Sequence, residues 1–265
     1  MPVPPSLGPP VPVRVGARSP VAALRRRNAE SAVLRGLTVL CFGALAGEAC
    51  AQLSGTISGV TDYRYRGVTL SDKLPAGQFG ITYDAPGGPY VGVFGSTVRL
   101  APPVGANFQF IGFAGYAARI TSAASLEFGG DYAAFTGSSE DNYGEIFVGA
   151  AIDRVNARVY YSPRYFGSGS DAWYGELNGT QPLVPRVGLT AHVGIVRASY
   201  PVYHGPYFYG SSAKNVVDGR IGVAVDFDLG RVELAWVGIS AKNAAYYISG
   251  TSSRNTVVLT LSHSF

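Results

Sequence analysis

The sequence has 265 residues, including 35 glycines, 17 tyrosines and 13 phenylalanines, with 14% charged residues and a mean hydropathy of +0.15. Soluble domains carry about a quarter charged residues, and bundles of membrane helices are much more apolar, so the composition disfavours both classes. The net charge of +4 comes from the first 51 residues, because fifteen basic and fifteen acidic residues follow them. The chain after residue 51 is therefore neutral, and nothing in it indicates nucleic-acid binding.

The first elements in chain order are those of a secretory signal. Residues 25–51 contain a basic cluster, an apolar stretch over residues 37–46 and small residues before Gln52. An apolar stretch of about ten residues is too short to cross a bilayer, which needs about twenty. We therefore expect cleavage after Ala51, with residues 1–51 as an N-terminal extension and signal peptide. An uncleaved anchor, or a lipid attached to Cys50, is the alternative.

The only two cysteines, Cys41 and Cys50, lie within this predicted leader. Residues 52–265 consequently contain no thiol, which excludes disulfides, thiolate metal sites and cysteine nucleophiles from the exported domain. A secreted domain without these cross-links needs another way to close its fold.

After residue 52 the dominant pattern is a two-residue alternation of apolar and polar side chains, which is typical of β-strands with two different faces. It predicts twelve strands, an even number, as a single-chain bacterial outer-membrane barrel requires. The strands are predicted over residues 53–66, 76–84, 89–99, 107–117, 124–135, 143–153, 156–165, 171–181, 186–198, 215–228, 231–243 and 254–265.

The connections between these strands alternate in length. Short ones are predicted at 84–89, 153–156, 181–186 and 228–231, and longer ones at 67–75, 99–107, 137–142, 199–214 and 243–253. Short periplasmic turns and long outer loops would give this alternation in a membrane barrel, with both mature termini in the periplasm. A soluble sandwich or soluble barrel would also alternate, but it would normally carry more than three lysines.

The aromatic residues and the end of the chain also favour a membrane barrel. Tyrosines near strand ends suggest interfacial girdles: Tyr63, Tyr65, Tyr83, Tyr90, Tyr116, Tyr132, Tyr161 and Tyr165. The last strand ends on a terminal aromatic residue, a pattern that the barrel-assembly machinery reads in outer-membrane proteins. The residues that we expect to form this membrane-insertion signal are Leu259, Leu261 and Phe265.

One stretch carries a family resemblance. The sequence SGVTDYRYRGV at residues 58–68, followed by Ser71-Asp72, Pro75-Ala76 and the strand YVGVFGS at residues 90–96, resembles the Gcw_chp or TorF-like family of outer-membrane porins. The resemblance is densest over residues 53–98. It implies a signal peptide, an all-β, closed antiparallel transmembrane barrel with up-and-down topology, and a porin role in the outer membrane of a Gram-negative bacterium.

Residues of the polar face are the candidate pore-lining set, and acids and arginines occur in it in similar numbers. Such a wall would suit a narrow, mildly selective channel for small polar or weakly charged solutes. The same residues could instead form a salt-bridged core that plugs the barrel. The set is Asp62, Arg64, Arg66, Glu127, Asp131, Glu145, Arg158, Arg164, Glu176, Arg186, His192, Asp218, Arg220, Asp226 and Glu233.

Other functions have weaker signals. The aromatic loop at 199–214 could be a lid or could bind surface partners, as a closed structural or adhesive barrel would require. A lipolytic barrel would need His192 or His204 beside a serine, and no G-x-S-x-G sequence is present. No P-loop, Rossmann or H-E-x-x-H motif indicates a cofactor or an enzyme, and Asp226 with Asp228 is only a weak calcium candidate. The expected partners are outer-membrane lipid, the assembly machinery and a small polar solute; the oligomeric state is open.

Overall fold

The computed structural model of the protein describes residues 52–100, 106–167, 171–198, 215–240 and 255–265. These residues form fourteen β-strands and two short 3-10 helices at Ser139–Asp141 and Tyr165–Gly167. None of the helices in these ranges could cross a membrane. The strands are Gln52–Val60 (β1), Arg64–Tyr65 (β2), Val68–Thr69 (β3), Ala76–Asp84 (β4), Pro89–Thr97 (β5), Phe108–Arg119 (β6), Ala124–Phe135 (β7), Tyr143–Ile152 (β8), Val155–Ser162 (β9), Ala172–Val184 (β10), Val187–Ala198 (β11), Asn215–Phe227 (β12), Gly230–Ile239 (β13) and Asn255–Ser264 (β14).

Twelve of these strands form one closed antiparallel barrel in which each strand pairs with its neighbours in the chain, apart from the short β2 and β3. This confirms the predicted up-and-down, twelve-stranded barrel. Closure is needed because an unpaired backbone edge in hydrocarbon costs several kcal/mol per group. The predicted leader at residues 1–51 lies outside the described residues, so its cleavage stays a prediction.

The barrel closes where β1 pairs with β14 on one side and with β4 on the other. At the seam, the backbone of Gly55 exchanges two hydrogen bonds with Phe265, at N–O distances of 2.9 and 3.0 Å. The Phe265 ring lies over Gly55, since a Cβ at that position would come 2.5 Å from the ring. Phe265 therefore extends the β1–β14 pairing by one residue beyond Thr56 and Ser264.

The connections separate the barrel into two ends. At the turn end, where the chain enters β1 and leaves β14, β-strands are joined by two to four residues, as at Asp153-Arg154. At the loop end the connections have seven to sixteen residues, which confirms the predicted alternation of short and long connections. The periplasmic position of both mature termini stays a prediction.

The outer wall between the two ends is apolar. Alternate side chains of the barrel strands point outward and are largely exposed, for example Phe128 at 61% and Ile146 at 65%. A continuous apolar exterior of this size suits contact with lipid. Of the tyrosines predicted to form girdles, Tyr83, Tyr116 and Tyr132 lie on this face. Four others are buried inside the barrel: Tyr63, Tyr65, Tyr90 and Tyr165.

Candidate functional site in the barrel lumen

The first connection at the loop end folds into the barrel. Residues 61–75, which we call the inner hairpin, contain β2 and β3, paired as Arg64 with Thr69 and Tyr65 with Val68. Its turn is made by Arg66 and Gly67, both with positive φ. The predicted first strand, 53–66, was therefore too long, because β1 ends at Val60 and the chain then turns inward.

The inner hairpin is braced by its own buried ion pair. Asp62 accepts hydrogen bonds from Arg64 Nε at 2.8 Å and from Thr69 Oγ1 at 2.6 Å. Arg64 also donates through Nη1 to the carbonyl oxygen of Gly67 at 3.1 Å. Because Arg64 is fully buried and Asp62 nearly so, the pair fixes the hairpin as a unit.

The tip of the inner hairpin is tied to the barrel wall by Arg66. Its guanidinium donates to both carboxylate oxygens of Glu145 on β8, at 3.1 and 2.5 Å. Four tyrosine rings surround it within the range of cation–π attraction. The distances from Arg66 Cζ to the ring centroids are 4.1 Å for Tyr174, 5.0 Å for Tyr65 and 5.2 Å for both Tyr160 and Tyr165.

The tyrosines of the hairpin also bind the wall. Tyr63 donates its hydroxyl to Gln109 Oε1 at 2.9 Å, and Tyr143 on β8 donates to the Tyr65 hydroxyl at 3.0 Å. Burial raises the pKa of both hairpin tyrosines well above the ordinary value, against the opposing effect of Arg66. Both hydroxyls are therefore protonated across the working pH range.

The far side of the tip contacts the opposite part of the wall. A Cβ on Gly67 would lie 2.7 Å from Asp218 Cβ and 3.2 Å from Ile239 Cβ. Val68 packs with Ile239, and Val216 joins them. The hairpin thus extends from the loop ends of β1 and β4 across the lumen, and its residues 63–66 are at most 6% exposed.

Below the hairpin, a network of acids, an arginine and tyrosines links strands β5, β7, β9 and β10. Arg158 on β9 donates to Glu127 on β7 through Nε and Nη2, at 2.9 and 2.7 Å. Its Nη1 donates to the Tyr160 hydroxyl at 3.0 Å, and this hydroxyl donates to Glu176 on β10 at 3.3 Å. Tyr90 adds a hydrogen bond to Glu127 at 3.1 Å.

A second network surrounds His192 on β11. Its Nδ1 lies 2.7 Å from Asn178 Oδ1, and its Nε2 lies 2.8 Å from Asp218 Oδ1 and 3.2 Å from the Tyr174 hydroxyl. Asn178 in turn donates to Asn156 Oδ1 at 3.1 Å. Both ring nitrogens are therefore engaged by side chains other than serine, unlike the histidine of a serine hydrolase.

Two further ion pairs line the lumen toward the turn end. Arg220 contacts Glu233 at 2.9 Å, and Glu233 also accepts a hydrogen bond from Thr190 at 2.7 Å. Arg231 contacts Asp226 at 3.1 Å in a more exposed position. The Asp226 carboxylate is thus held by an arginine, and the described residues contain no group of three or more potential metal ligands.

The structure brings most of the predicted pore-lining residues together inside the barrel. Arg164 lies elsewhere, exposed beyond the end of β9. Arg186 also lies elsewhere, in a turn, where it pairs at 2.8 Å with Asp228 and is 63% exposed. His204 and the predicted 199–214 loop fall outside the described residues. The predicted insertion residues, Leu259, Leu261 and Phe265, point outward, and their signalling role stays a prediction.

Lumen residues that the sequence reasoning missed are mostly uncharged. Tyr160 and Tyr174 each lie two residues from a predicted lumen charge, Arg158 and Glu176 respectively, and so share its face. The two-residue period of these strands was therefore enough to predict that both tyrosines face the lumen.

The solved structures that are similar to this one include porins. The NanC porin matches with a TM-score of 0.50 and 10% sequence identity, over 81% of this chain and 99% of the porin. The KdgM porin matches with a TM-score of 0.49 and 9% identity, over 80% of this chain and 98% of the porin. The likeness to NanC shows a shared barrel fold. No functionally curated protein matches the sequence.

The family is identified by sequence. A family model described as "Bacterial protein of unknown function (Gcw_chp)" matches residues 45–265, which include all twelve strands of the barrel and the inner hairpin. The TorF-like name stays a prediction. The predicted resemblance to Gcw_chp is confirmed, and the chain belongs to the Gcw_chp family of bacterial proteins of unknown function.

Proposed function

We propose that this protein is an outer-membrane porin for the passive diffusion of small polar or weakly charged solutes, with the inner hairpin as the element that restricts the pore. The observation that carries the proposal is the contrast between an apolar outer wall and a lumen lined by paired charges and tyrosine hydroxyls. A polar interior offers solutes hydrogen-bonding groups, whereas lipid contacts only the outside.

The hairpin supports a narrow rather than a wide pore. Its residues 63–66 are nearly inaccessible, and Arg66 joins it to Glu145 across the space through which a solute would pass. Passage requires the tip to shift from this position or to leave a path beside it. Small solutes are therefore the ones that the barrel would admit.

The location follows from the same proposal. We place the barrel in the outer membrane of a Gram-negative bacterium, after export through a cleaved signal peptide and insertion by the barrel-assembly machinery. Tight turns commonly face the periplasm in such barrels, which would put both mature termini there.

Swelling of liposomes that contain the refolded residues 52–265 tests the proposal. We expect swelling in isotonic solutions of small sugars or amino acids, at rates that fall steeply with solute size. A variant in which residues 62–74 are replaced by a short Gly-Ser linker should admit larger solutes. If neither protein causes swelling although both are folded and inserted, the porin function is wrong.

The buried inner hairpin occupies the lumen at the loop end, and this favours a second candidate function. The protein would then be a closed structural or adhesive barrel whose outer loops bind a partner. In that case the lumen charges serve only as a salt-bridged core. This candidate predicts no swelling with the wild type or the linker variant, and it predicts binding to cell-surface material that is lost when residues 199–214 are deleted.

A further inference from the structure

The outer wall of the barrel carries a groove that crosses strands β5 to β9. It follows one row of outward-facing residues that are paired from strand to strand: Val91, Ala114, Gly130, Ile146 and Tyr161. The groove has a volume of about 720 Å³ and a mostly apolar lining. Its depth arises because Gly130, and Gly112 in the neighbouring row, place no side chain on the wall.

The groove runs obliquely along the barrel, from one end toward the other. Tyr161 is the last residue but one of β9, at the loop end, whereas Val91 lies near the start of β5, at the turn end. Adjacent strands are about 4.8 Å apart, so a row across five strands is about 19 Å long. A lipid chain extends over about 15 Å, half of the hydrocarbon core of a bilayer. The groove is therefore long enough for one acyl chain.

An arginine lies at the loop end of the groove. Arg164 lines the groove beyond Tyr161, is exposed, and takes part in none of the salt bridges among the described residues. Tyr161 packs against Trp173, which is 51% exposed, with ring centroids 4.8 Å apart. Tyrosine and tryptophan rings are enriched where a bilayer meets water. Arg164 consequently lies at the level of lipid headgroups, where a guanidinium can bind a phosphate through two hydrogen bonds.

We propose that this groove binds lipid A, the phosphorylated glycolipid of the outer leaflet, with one acyl chain along the row and a phosphate on Arg164. The apolar lining complements the chain, and the free positive charge complements the phosphate. The loop end selects the outer leaflet, because the longer loops of such barrels face the outside. The inference rests on the outer-membrane location proposed above, and it holds whether or not the lumen conducts.

Native mass spectrometry of the protein extracted from outer membranes in a mild detergent tests the occupant. We expect the wild type to retain a molecule that contains lipid A and Arg164→Gln to lose most of it. Arg154→Gln is the control, because it removes another exposed arginine, in the turn between β8 and β9, and should retain as much lipid as the wild type. A phospholipid in place of lipid A, or equal retention in all three proteins, would overturn the proposal.

Titration of purified lipid A into refolded residues 52–265 tests the phosphate and the chain separately. We expect Arg164→Gln to weaken binding by at least about tenfold, the usual effect of losing a hydrogen bond to a charged group. Lipid A without its phosphates should bind Arg164→Gln and the wild type equally. A preference of phosphate-free lipid A for the wild type would contradict the assignment of the phosphate to Arg164.

Two leucine substitutions test the groove itself. Gly112→Leu should weaken binding by a similar factor, because a Cβ at Gly112 meets no atom within 4 Å and the new side chain would fill the groove. Gly77→Leu adds the same side chain at another open position of the outer wall, on β4, and should bind like the wild type. Equal affinities of the two variants would refute the groove. A barrel that binds lipid A but causes no liposome swelling would contradict the porin function alone.

Discussion

The Arg66 guanidinium and the Glu145 carboxylate form a two-point ion pair that joins the tip of the inner hairpin to strand β8. Both side chains are at most 5% exposed. Removing one partner from a buried ion pair costs about 3–5 kcal/mol when the other stays buried. The pair therefore acts as a latch that holds the hairpin across the lumen.

Arg66→Ala should release this latch. Glu145 would be left without its cation, and entry of water beside it is the least costly way to solvate the carboxylate. We expect a larger single-channel conductance than the wild type in planar bilayers. Arg186→Ala is the control, because that arginine pairs with Asp228 at an exposed turn and its conductance should match the wild type. Equal conductance in Arg66→Ala and Arg186→Ala would argue against the latch.

Alanine substitutions at two glycines separate the effect of a contact with the barrel wall from the effect of backbone strain. Gly67 and Gly87 both have positive φ, of 78° and 89°, so alanine at either position carries strain of about 1–2 kcal/mol. Only at Gly67 would the new Cβ meet the wall, 2.7 Å from Asp218 Cβ. We expect Gly67→Ala to displace the hairpin and raise conductance, whereas Gly87→Ala should lower only the thermal midpoint on a heat-modifiability gel. Similar conductance changes in both would contradict this placement of the tip.

Arg158→Gln should destabilise the barrel itself. Arg158 is 2% exposed and holds Glu127, so its loss leaves a largely buried carboxylate, at a cost of about 3–5 kcal/mol. We expect a clearly lower midpoint of heat or urea unfolding. Arg231→Gln provides the comparison, since its partner Asp226 is 43% exposed and can be solvated, so the midpoint should change little. An equal decrease in both variants would show that burial does not set the cost.

Phe265→Ala tests the predicted insertion signal. The Phe265 ring is 71% exposed and its backbone would keep both hydrogen bonds to Gly55, so the refolded barrel should retain its thermal midpoint. In expressing cells, we expect less folded protein in the outer membrane. Phe227→Ala removes another exposed aromatic ring at the turn end and should assemble normally. Equal assembly of the two variants would contradict a signalling role for Phe265.

Much of the barrel could be predicted because alternation depends only on which face meets lipid. Strands β4 and β7 have the predicted bounds, 76–84 and 124–135. The first strand was predicted too long because Tyr63 and Tyr65 continue the two-residue period of β1 inside the inner hairpin. A short hairpin in a lumen and a strand in the wall have the same period, so periodicity alone could not separate them.

For the charged residues, the two-residue period predicts the direction of a side chain only within a strand. Arg158 lies within β9, where the two-residue period fixes the face, and its side chain is buried inside the barrel. Arg164 shares its parity, but β9 ends at Ser162 and the period no longer sets its direction. Arg186 was assigned to the start of a strand and instead lies in a two-residue turn. Which acid pairs with which arginine depends on register between strands, and a single sequence does not contain that information.

The most direct measurement is the conductance of a barrel whose hairpin is locked to the wall. Val68 on the hairpin packs against Ile239 on β13, and residues 52–265 contain no cysteine of their own. In the double variant Val68→Cys, Ile239→Cys, we predict a low single-channel conductance after oxidation and a return to the wild-type value after reduction. Equal conductance in the oxidised and reduced forms, with the disulfide verified by mass spectrometry, would contradict a pore restricted by the inner hairpin.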